Sequence, residues 1–238
     1  YNMKKIVVTG GSGRFGSVLK INSFFKDCYY PKRNELNILN FKSIIKYLKK
    51  NKPRILIHLA ALSRPMDIHD EKISESINLN IIGTSNIVKA CEKFNIKLIY
   101  FSTNYVYPGT KGNYKENSAL LPINSYAWSK LGGECAVRLY KNSLILRVCM
   151  CEKPFIHQKA FSDFKTNFIF HDEVAQILKK LLSKKGIINL GGPTKTVFDF
   201  AKKYNPNIKK SSAKKKFGRK FPLNSYMNLN KLNKIIKK

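Results

Sequence analysis

Tyr126 and Lys130 are the residues whose types and spacing best suit chemistry, and they stand four positions apart in the segment YAWSK. Residues at i and i+4 share one face of a helix, so the phenolic oxygen and the lysine nitrogen can meet in one pocket. An unperturbed tyrosine has a pKa of about 10, and a nearby cation lowers that pKa toward neutrality. The pair therefore predicts a tyrosine proton donor tuned by a lysine. In a lysine-rich chain such a pair also arises by chance, so its context decides.

A glycine-rich loop near the N-terminus could hold a phosphate group. The β-branched run at 4–9 predicts a buried strand, and Gly10, Gly13 and Gly16 follow it directly. Glycines at this spacing allow a tight turn, close approach of the backbone to a pyrophosphate, and close packing of the next helix. The phosphate would lie at the N-terminus of a helix that begins near Arg14. From these residues alone, a glycine turn without a ligand stays open.

Strand and helix patterns alternate along the chain up to about residue 150. This alternation predicts an α/β fold, with a Rossmann-type doubly wound parallel sheet and a small C-terminal lobe. Predicted strands cover 4–9, 28–31, 54–59, 96–102 and 143–148, and predicted helices cover 14–25, 39–50, 71–94 and 124–141. We therefore expect a sheet domain at 1–150 and a small, shortened substrate-binding lobe at 151–238 that packs on the sheet.

The formal net charge is +31 at pH 7, from 45 Lys+Arg against 14 Asp+Glu. Such an excess is typical of nucleic-acid-binding proteins. Here the basic residues are spread along the whole chain together with many asparagines and isoleucines, as expected when an AT-rich genome biases residue choice. We expect no specific nucleic-acid binding, although the field would attract anionic nucleotide ligands.

Membrane, leader and metal signals are not found in the sequence. No apolar run reaches the roughly 18 residues of a membrane span, and the first residues enter a predicted strand without the apolar core of a signal peptide. The five cysteines form no C-x-x-C pair and have no histidine at metal-ligand spacing. We expect no membrane association, reduced thiols in the cytoplasm and no metal site.

Five segments in order give the chain a specific resemblance. They are the Gly10–Gly16 loop, Leu59-Ala60-Ala61, Asn80-Ile81-Ile82-Gly83-Thr84, the segment from Ser102 to Gly109, and Tyr126 with Lys130. Together they resemble the extended short-chain dehydrogenase/reductases, and among these the reductases of nucleotide-activated 4-keto deoxysugars. The segments 222–225 and 228–232 are similar to the C-terminal signature of those reductases, so the resemblance covers nearly the whole chain.

The resemblance implies a role for each matching position. Tyr126 would protonate the carbonyl oxygen of a 4-keto sugar, Lys130 would lower the tyrosine pKa and hold the nicotinamide ribose, and Thr103 would hydrogen-bond the same carbonyl oxygen. The residues 1–150 would form the NAD(P)-binding domain. Its implied cofactor contacts are Gly10, Gly13, Arg14, Phe15, Gly16, Lys32, Arg33, Ala60, Ala61, Asn80, Tyr126 and Lys130. As structural alternatives, Thr103 could cap a turn and Tyr126 could be a surface aromatic.

The choice of cofactor depends on the residues after the second predicted strand. An acid about 20 residues past the glycine loop would bind the ribose 2′-hydroxyl of NAD. This chain has Pro31-Lys32-Arg33 there, while Asp27 lies at the wrong end of the strand. Together with Arg14, these cations suit a 2′-phosphate. We expect NADPH, with NADH as the alternative.

Related activities differ from a reductase by added groups. The resembling 4,6-dehydratases place an Asp-Glu pair after the active-site threonine, where this chain has Asn104-Tyr105. Epimerases that invert carbons beside a keto group use a Cys/His pair near the sugar, and no cysteine lies between Cys91 and Cys135. A 4-epimerase that only removes and returns hydride stays open as an alternative.

A non-catalytic, dinucleotide-binding regulatory subunit is the second alternative, because some relatives of these reductases serve other enzymes in that way. The intact Thr103, Tyr126 and Lys130 weigh against it, and the shortened region after Val148 weighs for it. The expected partner is a nucleotide-sugar substrate, and the resemblance allows a homodimer. Of the other polar residues, His58 is predicted to be a core histidine, and Arg147 is predicted to meet a diphosphate, a helix dipole or a surface partner.

Overall fold

The computed structural model describes residues 5–218 and 221–237, so Lys4 of the first predicted strand lies outside the described residues. The chain forms two compact units. The first comprises 1–102, 124–146 and 181–187, and the second comprises 103–123, 147–180 and 188–238. Strands that begin in the first unit continue into the second, so this division falls at several places in the chain. The expected separation into domains at 1–150 and 151–238 stays a prediction.

The regular elements follow the predicted alternation. The strands are β1 (Ile6–Thr9), β2 (Ile55–His58), β3 (Lys97–Thr103), β4 (Ser143–Val148), β5 (Met150–Cys151), β6 (Lys159–Phe161), β7 (Lys165–Thr166), β8 (Ile169–Phe170), β9 (Gly186–Leu190), β10 (Lys195–Thr196) and β11 (Lys209–Ser211). The helices are α1 (Arg14–Ile21), α2 (Phe41–Asn51), α3 (Ile68–Glu71), α4 (Ile73–Ser76), α5 (Gly83–Lys93), α6 (Ser125–Arg138), α7 (His171–Leu181), α8 (Val197–Lys202), α9 (Ala213–Phe217) and α10 (Asn230–Ile236).

A five-stranded sheet in the order β1-β2-β3-β4-β9 is the centre of the fold. The register pairs Val7 with Leu56 and Leu56 with Leu98, and both ladders are parallel. The first four strands are buried along their whole length, as expected when helices cover both faces of a parallel sheet. The predicted α/β class with a Rossmann-type parallel sheet is confirmed.

β1 is the strand at which the order of the sheet reverses. On one side it pairs with β2, and on the other it makes a parallel bridge from Val7 to Tyr29. Tyr29 donates its N–H to the oxygen of Ile6 at 2.9 Å and accepts from Val8 at 2.8 Å. The strand predicted at 28–31 is thus reduced to this one bridge. Ligands of open α/β sheets bind beyond the carboxyl ends of strands at such a reversal.

The core of the first unit joins the sheet to α2 and α5. Val7, Leu56 and Leu98 from the strands pack with Ile44 and Leu48 of α2, and Ile87, Ala90 and Cys91 of α5 belong to the same cluster. These side chains recur at helical spacing along α2 and α5, which accounts for their common direction. At roughly 25 cal/mol for each Å² of apolar surface removed from water, this cluster is a main source of stability.

Two predicted helices differ from the observed ones. The helix predicted at 71–94 begins at Ile73, because Lys72 leaves helical geometry at φ −121° and ψ 60°, and it contains a π-helical turn at Ile77–Ile82. The helix predicted at 14–25 ends at Ile21, since Asn22 is extended and its side chain accepts the N–H of Phe24. Local side-chain bonds of asparagine compete with helix hydrogen bonds in this way.

The second unit is built from short paired strands. β5 pairs with β8, β6 with β11 and β7 with β10, and the apolar cluster around Phe164, Val197 and Phe198 packs between them. Arg147 is only 1% exposed. It donates to the hydroxyl of Tyr107 at 2.7 Å and to the carbonyl of Glu116 at 3.0 Å. The predictions of a diphosphate, helix-dipole or surface partner for Arg147 are therefore wrong.

Within the part of the chain that is described, no helix combines the length and the apolar character needed to cross a bilayer.

Two adjacent glycines of α6 test how closely this helix must pack. A Cβ at Gly133 would lie 2.5 Å from the oxygen of Asn80 and 2.7 Å from the hydroxyl of Tyr100, whereas a Cβ at Gly132 would meet only the flexible side chain of Ile81. We expect Gly133→Ala to lower the free energy of unfolding by about 1–3 kcal/mol through overpacking. Gly132→Ala is the matched control and should change it by no more than about 1 kcal/mol, since alanine favours the helix. Urea unfolding measures both, and equal stability of the two variants would contradict the close packing.

Candidate functional site

The glycine loop has a backbone that only glycine can supply at two positions. Gly10 has a φ of +73°, and a Cβ there would lie 2.5 Å from the nitrogen of Ala60. A Cβ at Gly16 would lie 2.4 Å from the oxygen of Gly10, which also accepts the N–H of Gly13 at 3.0 Å. α1 begins at Arg14 directly after this turn. The loop thus leaves bare backbone at a helix N-terminus, the arrangement that holds a pyrophosphate.

The segment after β2 is fixed by two buried polar groups. Ala60 donates its N–H to the hydroxyl of Thr9 at 3.3 Å. His58 has Nδ1 2.8 Å from that same hydroxyl and Nε2 3.1 Å from the hydroxyl of Thr84. Burial, together with the charge of the neighbouring Lys130, lowers the pKa of His58 to about 3. His58 is therefore neutral and bonded in the core, as predicted. Ala61 follows Ala60 in this segment.

Asn80 connects that segment to α6. Its Oδ1 accepts the N–H of Leu62 at 2.8 Å, and its Nδ2 donates to the oxygen of Leu62 at 2.9 Å and to the hydroxyl of Ser129 at 2.8 Å. Ser129 in turn donates to the oxygen of Tyr126 at 2.8 Å. Asn80 is completely buried, so a direct contact with a cofactor would have to replace one of these bonds. The structure indicates that Asn80 positions the loop and the tyrosine.

Tyr126 lies in the first turn of α6, where Asn124 caps the helix by accepting the N–H of Ala127 at 2.8 Å. The phenol ring is half-buried and lies 5.2 Å from the ring of His69, centroid to centroid. Burial raises the pKa of Tyr126 to about 12, and the charges of Arg64 and Arg14 lower it in part. The phenol is therefore protonated at neutral pH, as a proton donor must be.

Lys130 is on the same helix but meets a different aromatic ring. Its ammonium lies 4.3 Å from the ring centroid of Tyr100, and the side chain is 5% exposed. Burial lowers the pKa of Lys130 to about 7, while the charge of Glu134 raises it. The charges that lower the pKa of Tyr126 in this structure are those of Arg64 and Arg14, and the tuning of Tyr126 by Lys130 stays a prediction.

The remaining predicted cofactor contacts differ in what they offer. Phe15 is buried and packs on Phe101 at 5.2 Å between ring centroids, so its backbone alone is suited to a ligand. Arg14 donates to the hydroxyl of Ser63 at 3.0 Å. Lys32 and Arg33 lie in an exposed turn, in which Lys32 donates its N–H to the carboxylate of Glu35 at 2.8 Å. Glu35 therefore places an acid in the same turn as the cations Lys32 and Arg33.

Thr103 belongs to the second unit and caps a short turn. It closes β3 at 5% exposure, and its hydroxyl oxygen accepts the N–H of Tyr105 at 3.2 Å at the start of a 3₁₀ turn over Asn104–Val106. The predicted turn cap is thus present, and the hydroxyl hydrogen is still available to donate. The side-chain nitrogen of the adjacent Asn104 is buried and has no hydrogen-bond partner within the described residues.

His69 was not among the predicted site residues. It is 2% exposed, and its Nδ1 lies 2.7 Å from the hydroxyl of Ser76. Its Nε2 has no hydrogen-bond partner among residues 5–218 and 221–237. Burial lowers the pKa of His69, as does Lys130, while Asp70 raises it. No motif in the sequence marks this histidine, because its contact with Tyr126 is made across the fold.

No group of three or more His, Cys, Asp or Glu residues that could hold a metal ion occurs in the described parts of the chain.

One family model, the RmlD substrate binding domain, matches residues 3–155. The chain belongs to this family. Among curated relatives, methionine adenosyltransferase 2 subunit beta of Xenopus tropicalis is 33% identical over 156 residues, which cover 61% of this chain and 46% of that protein. dTDP-4-dehydrorhamnose reductase of Aggregatibacter actinomycetemcomitans is 25% identical over 202 residues, which cover 81% of this chain and 63% of the relative. The chain spans about half the length of the first of these relatives.

Solved structures agree with the RmlD-type fold. dTDP-4-dehydrorhamnose reductase from Bacillus anthracis, in complex with NADP, aligns with a TM-score of 0.83 at 24% identity and covers 96% of this chain and 91% of its own. UDP-glucose 4-epimerase from Thermus thermophilus, in complex with NAD, aligns with a TM-score of 0.75 at 16% identity over 98% of this chain and 92% of its own. At these identities the likeness establishes the fold.

The charge of Lys130 can be measured directly. We expect its ε-ammonium to titrate near pH 7, the pKa that burial gives it, well below the value of about 10.4 for an unperturbed lysine. NMR of ¹³Cε-labelled lysine would report this, with Lys130→Met assigning the signal. Glu134→Gln removes the charge that supports the ammonium and should lower the pKa further, by about one unit. If every lysine signal titrates above about pH 9, the buried position of Lys130 is refuted.

Proposed function

We propose that the chain binds a nicotinamide dinucleotide at its glycine loop and reduces the 4-keto group of a nucleotide-activated deoxysugar. Membership of the RmlD family supports the class of reaction. The observation that carries the proposal is the bonded path from the loop after β2 through Asn80 and Ser129 to Tyr126. This path holds the tyrosine that would donate a proton in a fixed relation to the segment that would hold the cofactor.

The proposed cofactor site at the glycine loop suits a dinucleotide because its glycines keep side chains away from the backbone. Added Cβ atoms at Gly10 and Gly16 would collide with backbone at 2.5 Å or less. The loop Gly10, Gly13 and Gly16, with the backbone of Arg14 and Phe15, would hold the pyrophosphate at the start of α1. Ala60 and Ala61 would line the seat, and a reduced nicotinamide would supply hydride when bound.

The cofactor we propose is NADPH. Gly11 packs against Tyr30, since a Cβ on it would lie 2.8 Å from that ring, so the exposed turn with Lys32 and Arg33 follows directly beside the loop. These cations suit the 2′-phosphate of NADPH. Glu35 is engaged with the N–H of Lys32. NADH is the alternative, because a carboxylate in this turn can also accept the ribose 2′-hydroxyl.

The protein's part in the reaction is to supply a proton. Tyr126 retains its proton at neutral pH, because burial raises its pKa to about 12, and it would donate that proton to the developing alkoxide of the sugar. Arg64 and Arg14 stabilise the phenolate that is left, since both lower this pKa. Lys130 would bind the nicotinamide ribose. Thr103 would donate its hydroxyl hydrogen to the carbonyl oxygen, as the family resemblance implies.

Two other functions fit the same seat. A sugar-nucleotide 4-epimerase would use the hydride in both directions and needs no further group. The second is a dinucleotide-binding regulatory subunit, and the 33% identity to methionine adenosyltransferase 2 subunit beta supports this alternative. We favour the reductase because Thr103, Tyr126 and Lys130 are all present. Its product would feed a dTDP-rhamnose type of polysaccharide precursor.

Replacing Tyr126 separates binding from catalysis. Tyr126→Phe removes only the hydroxyl, so the rate of NADPH oxidation should fall by about 10²–10⁴-fold while the Kd for NADPH stays unchanged. The assay uses dTDP-4-dehydrorhamnose and, in parallel, UDP- and GDP-linked 4-keto sugars. Trp128→Phe, an exposed position on the same helix, is the control and should retain activity. Retained turnover in Tyr126→Phe would sink the assignment, and NADPH binding without turnover on any sugar would favour the regulatory function.

Arg33 provides a test of cofactor choice. Arg33→Gln removes a charge-assisted hydrogen bond to the 2′-phosphate, so the KM for NADPH should rise about tenfold while the KM for NADH is unchanged. Arg138→Gln, an exposed position at the end of α6, has the same change of charge and should leave both constants unaltered. A wild-type KM lower for NADH than for NADPH would reverse the proposed preference.

A further inference from the structure

A cavity lies at the opposite edge of the sheet from the glycine loop. The glycine loop follows the carboxyl end of β1, whereas this cavity opens at the amino ends of β1, β2 and β3. Its volume is about 360 Å³, within the range of small-molecule sites. All of its lining residues belong to the first unit, and they are Lys5, Ile6, Arg54, Ile55, Lys97, Asn142, Leu182, Ser183 and Lys185.

Three of the cations lie at the amino ends of three adjacent parallel strands, where Lys97 pairs with Ile55, one position beyond the level of Lys5 and Arg54. Arg54 donates its N–H to the oxygen of Lys5 at 2.7 Å, and Lys97 donates its N–H to the oxygen of Arg54 at 3.0 Å. Neighbouring strands are about 4.8 Å apart, so the three residues start adjacent strands at nearly that spacing. Lys185 directly precedes β9 and adds a fourth cation to the lining. The sheet therefore fixes the backbone positions of Lys5, Arg54 and Lys97, and the turn before β9 places Lys185 in the same lining.

These charges are not balanced by acids of the lining, since no Asp or Glu is among the described residues that form the cavity. Lys97 is 9% exposed, and its ammonium donates to the oxygen of Lys184. Burial, together with the charge of Lys185, lowers the pKa of Lys97 to about 8. The folded protein thus holds like charges together at a cost that a bound anion would relieve.

The rest of the lining suits a ligand with more than one charged oxygen. Ser183 and Asn142 add neutral hydrogen-bonding groups to the lining. Ile6, Ile55 and Leu182 are its apolar residues. Lysine and arginine donors match phosphate oxygens. A single monovalent anion would compensate only one of the four cations, whereas a di- or triphosphate group would meet several at once.

We propose that this cavity is an anion site for a small oligophosphate, separate from the dinucleotide seat, with Lys97, Lys185, Arg54 and Lys5 as its cationic ligands. The ligand class is a free polyphosphate or the polyphosphate group of a nucleotide. A cavity of about 360 Å³ suits such a compact ligand better than the extended backbone of a nucleic acid.

Calorimetric titration with sodium tripolyphosphate at fixed ionic strength tests the proposal. The wild-type protein should bind one tripolyphosphate per chain, and the affinity should fall at least about tenfold in Lys97→Met and several-fold in Lys185→Gln. Lys185 is exposed, so that variant keeps the fold. Lys49→Gln, an exposed position in α2, removes the same charge elsewhere and should bind as the wild type does. On binding, the pKa of Lys97 should rise from about 8.

Three further arms decide the source and the location. ATP titrated in place of tripolyphosphate distinguishes a nucleotide from free polyphosphate, and tighter binding of either supports the site and names its ligand. Saturating NADPH should leave tripolyphosphate binding unchanged, and one-for-one competition would overturn the separate site. Equal weakening in Lys49→Gln, or displacement by a single-stranded DNA oligomer with higher affinity, would show general attraction by the net charge and would also overturn it.

Discussion

The buried amide of Asn80 is the constraint on which the rest of the candidate site depends. With its two hydrogen bonds to Leu62 and one to Ser129, it joins three elements that are far apart in sequence. If one of these bonds were broken, the buried group left unpaired would destabilise the protein by about 1–3 kcal/mol. The three bonds therefore act as one unit. The segment after β2, the π-helical turn and α6 have little freedom to shift independently.

Close packing of α6 on the π-helical turn also restricts the movement of these elements. Gly133 allows α6 to approach the π-helical turn, where the oxygen of Asn80 would lie 2.5 Å from an added Cβ. The turn that contains Asn80 is a π-helical one, whose hydrogen bonds span one residue more than those of an α-helix. Such turns occur frequently at functional sites because they redirect side chains that an α-helix would spread around its axis. The π-helical turn and Gly133 therefore together allow α6 to pack closely against Asn80.

Sequence reasoning accounted for the fold class and for most of the sheet, because the buried strands are short apolar runs bounded by polar residues. The strand at 143–148 was predicted with its correct bounds. The pattern could not show that the second predicted strand makes a single bridge at Tyr29, since β-pairing depends on the partner and not on local propensity. Nor could it show the break at Lys72, where backbone geometry and not composition ends the helix.

For the site, spacing predicted which residues share a helix face but not what each one meets. Tyr126 and Lys130 do lie on α6, yet the lysine contacts Tyr100 of β3 and the tyrosine contacts His69. These partners come from other strands and helices, and no periodicity of α6 contains them. The same holds for Arg147, which was predicted to meet a diphosphate, a helix dipole or a surface partner. Its partners Tyr107 and Glu116 are more than thirty positions away and make it a core cation.

Burial determines the electrostatics of the site more than neighbouring charge does. For Tyr126, Lys130 and His58, desolvation is the largest cause of the pKa shift, and in each case it favours the neutral form. A chain with a formal charge of +31 would be expected to favour phenolate at Tyr126 through its field, but burial prevails because the cost of desolvating a charge exceeds the attraction of cations screened by water. The phenol therefore keeps its proton, and a substrate oxygen that gains negative charge beside it becomes the natural acceptor. A tyrosine held in this way is suited to donate its proton, which is the physical reason for the reductase activity that we propose.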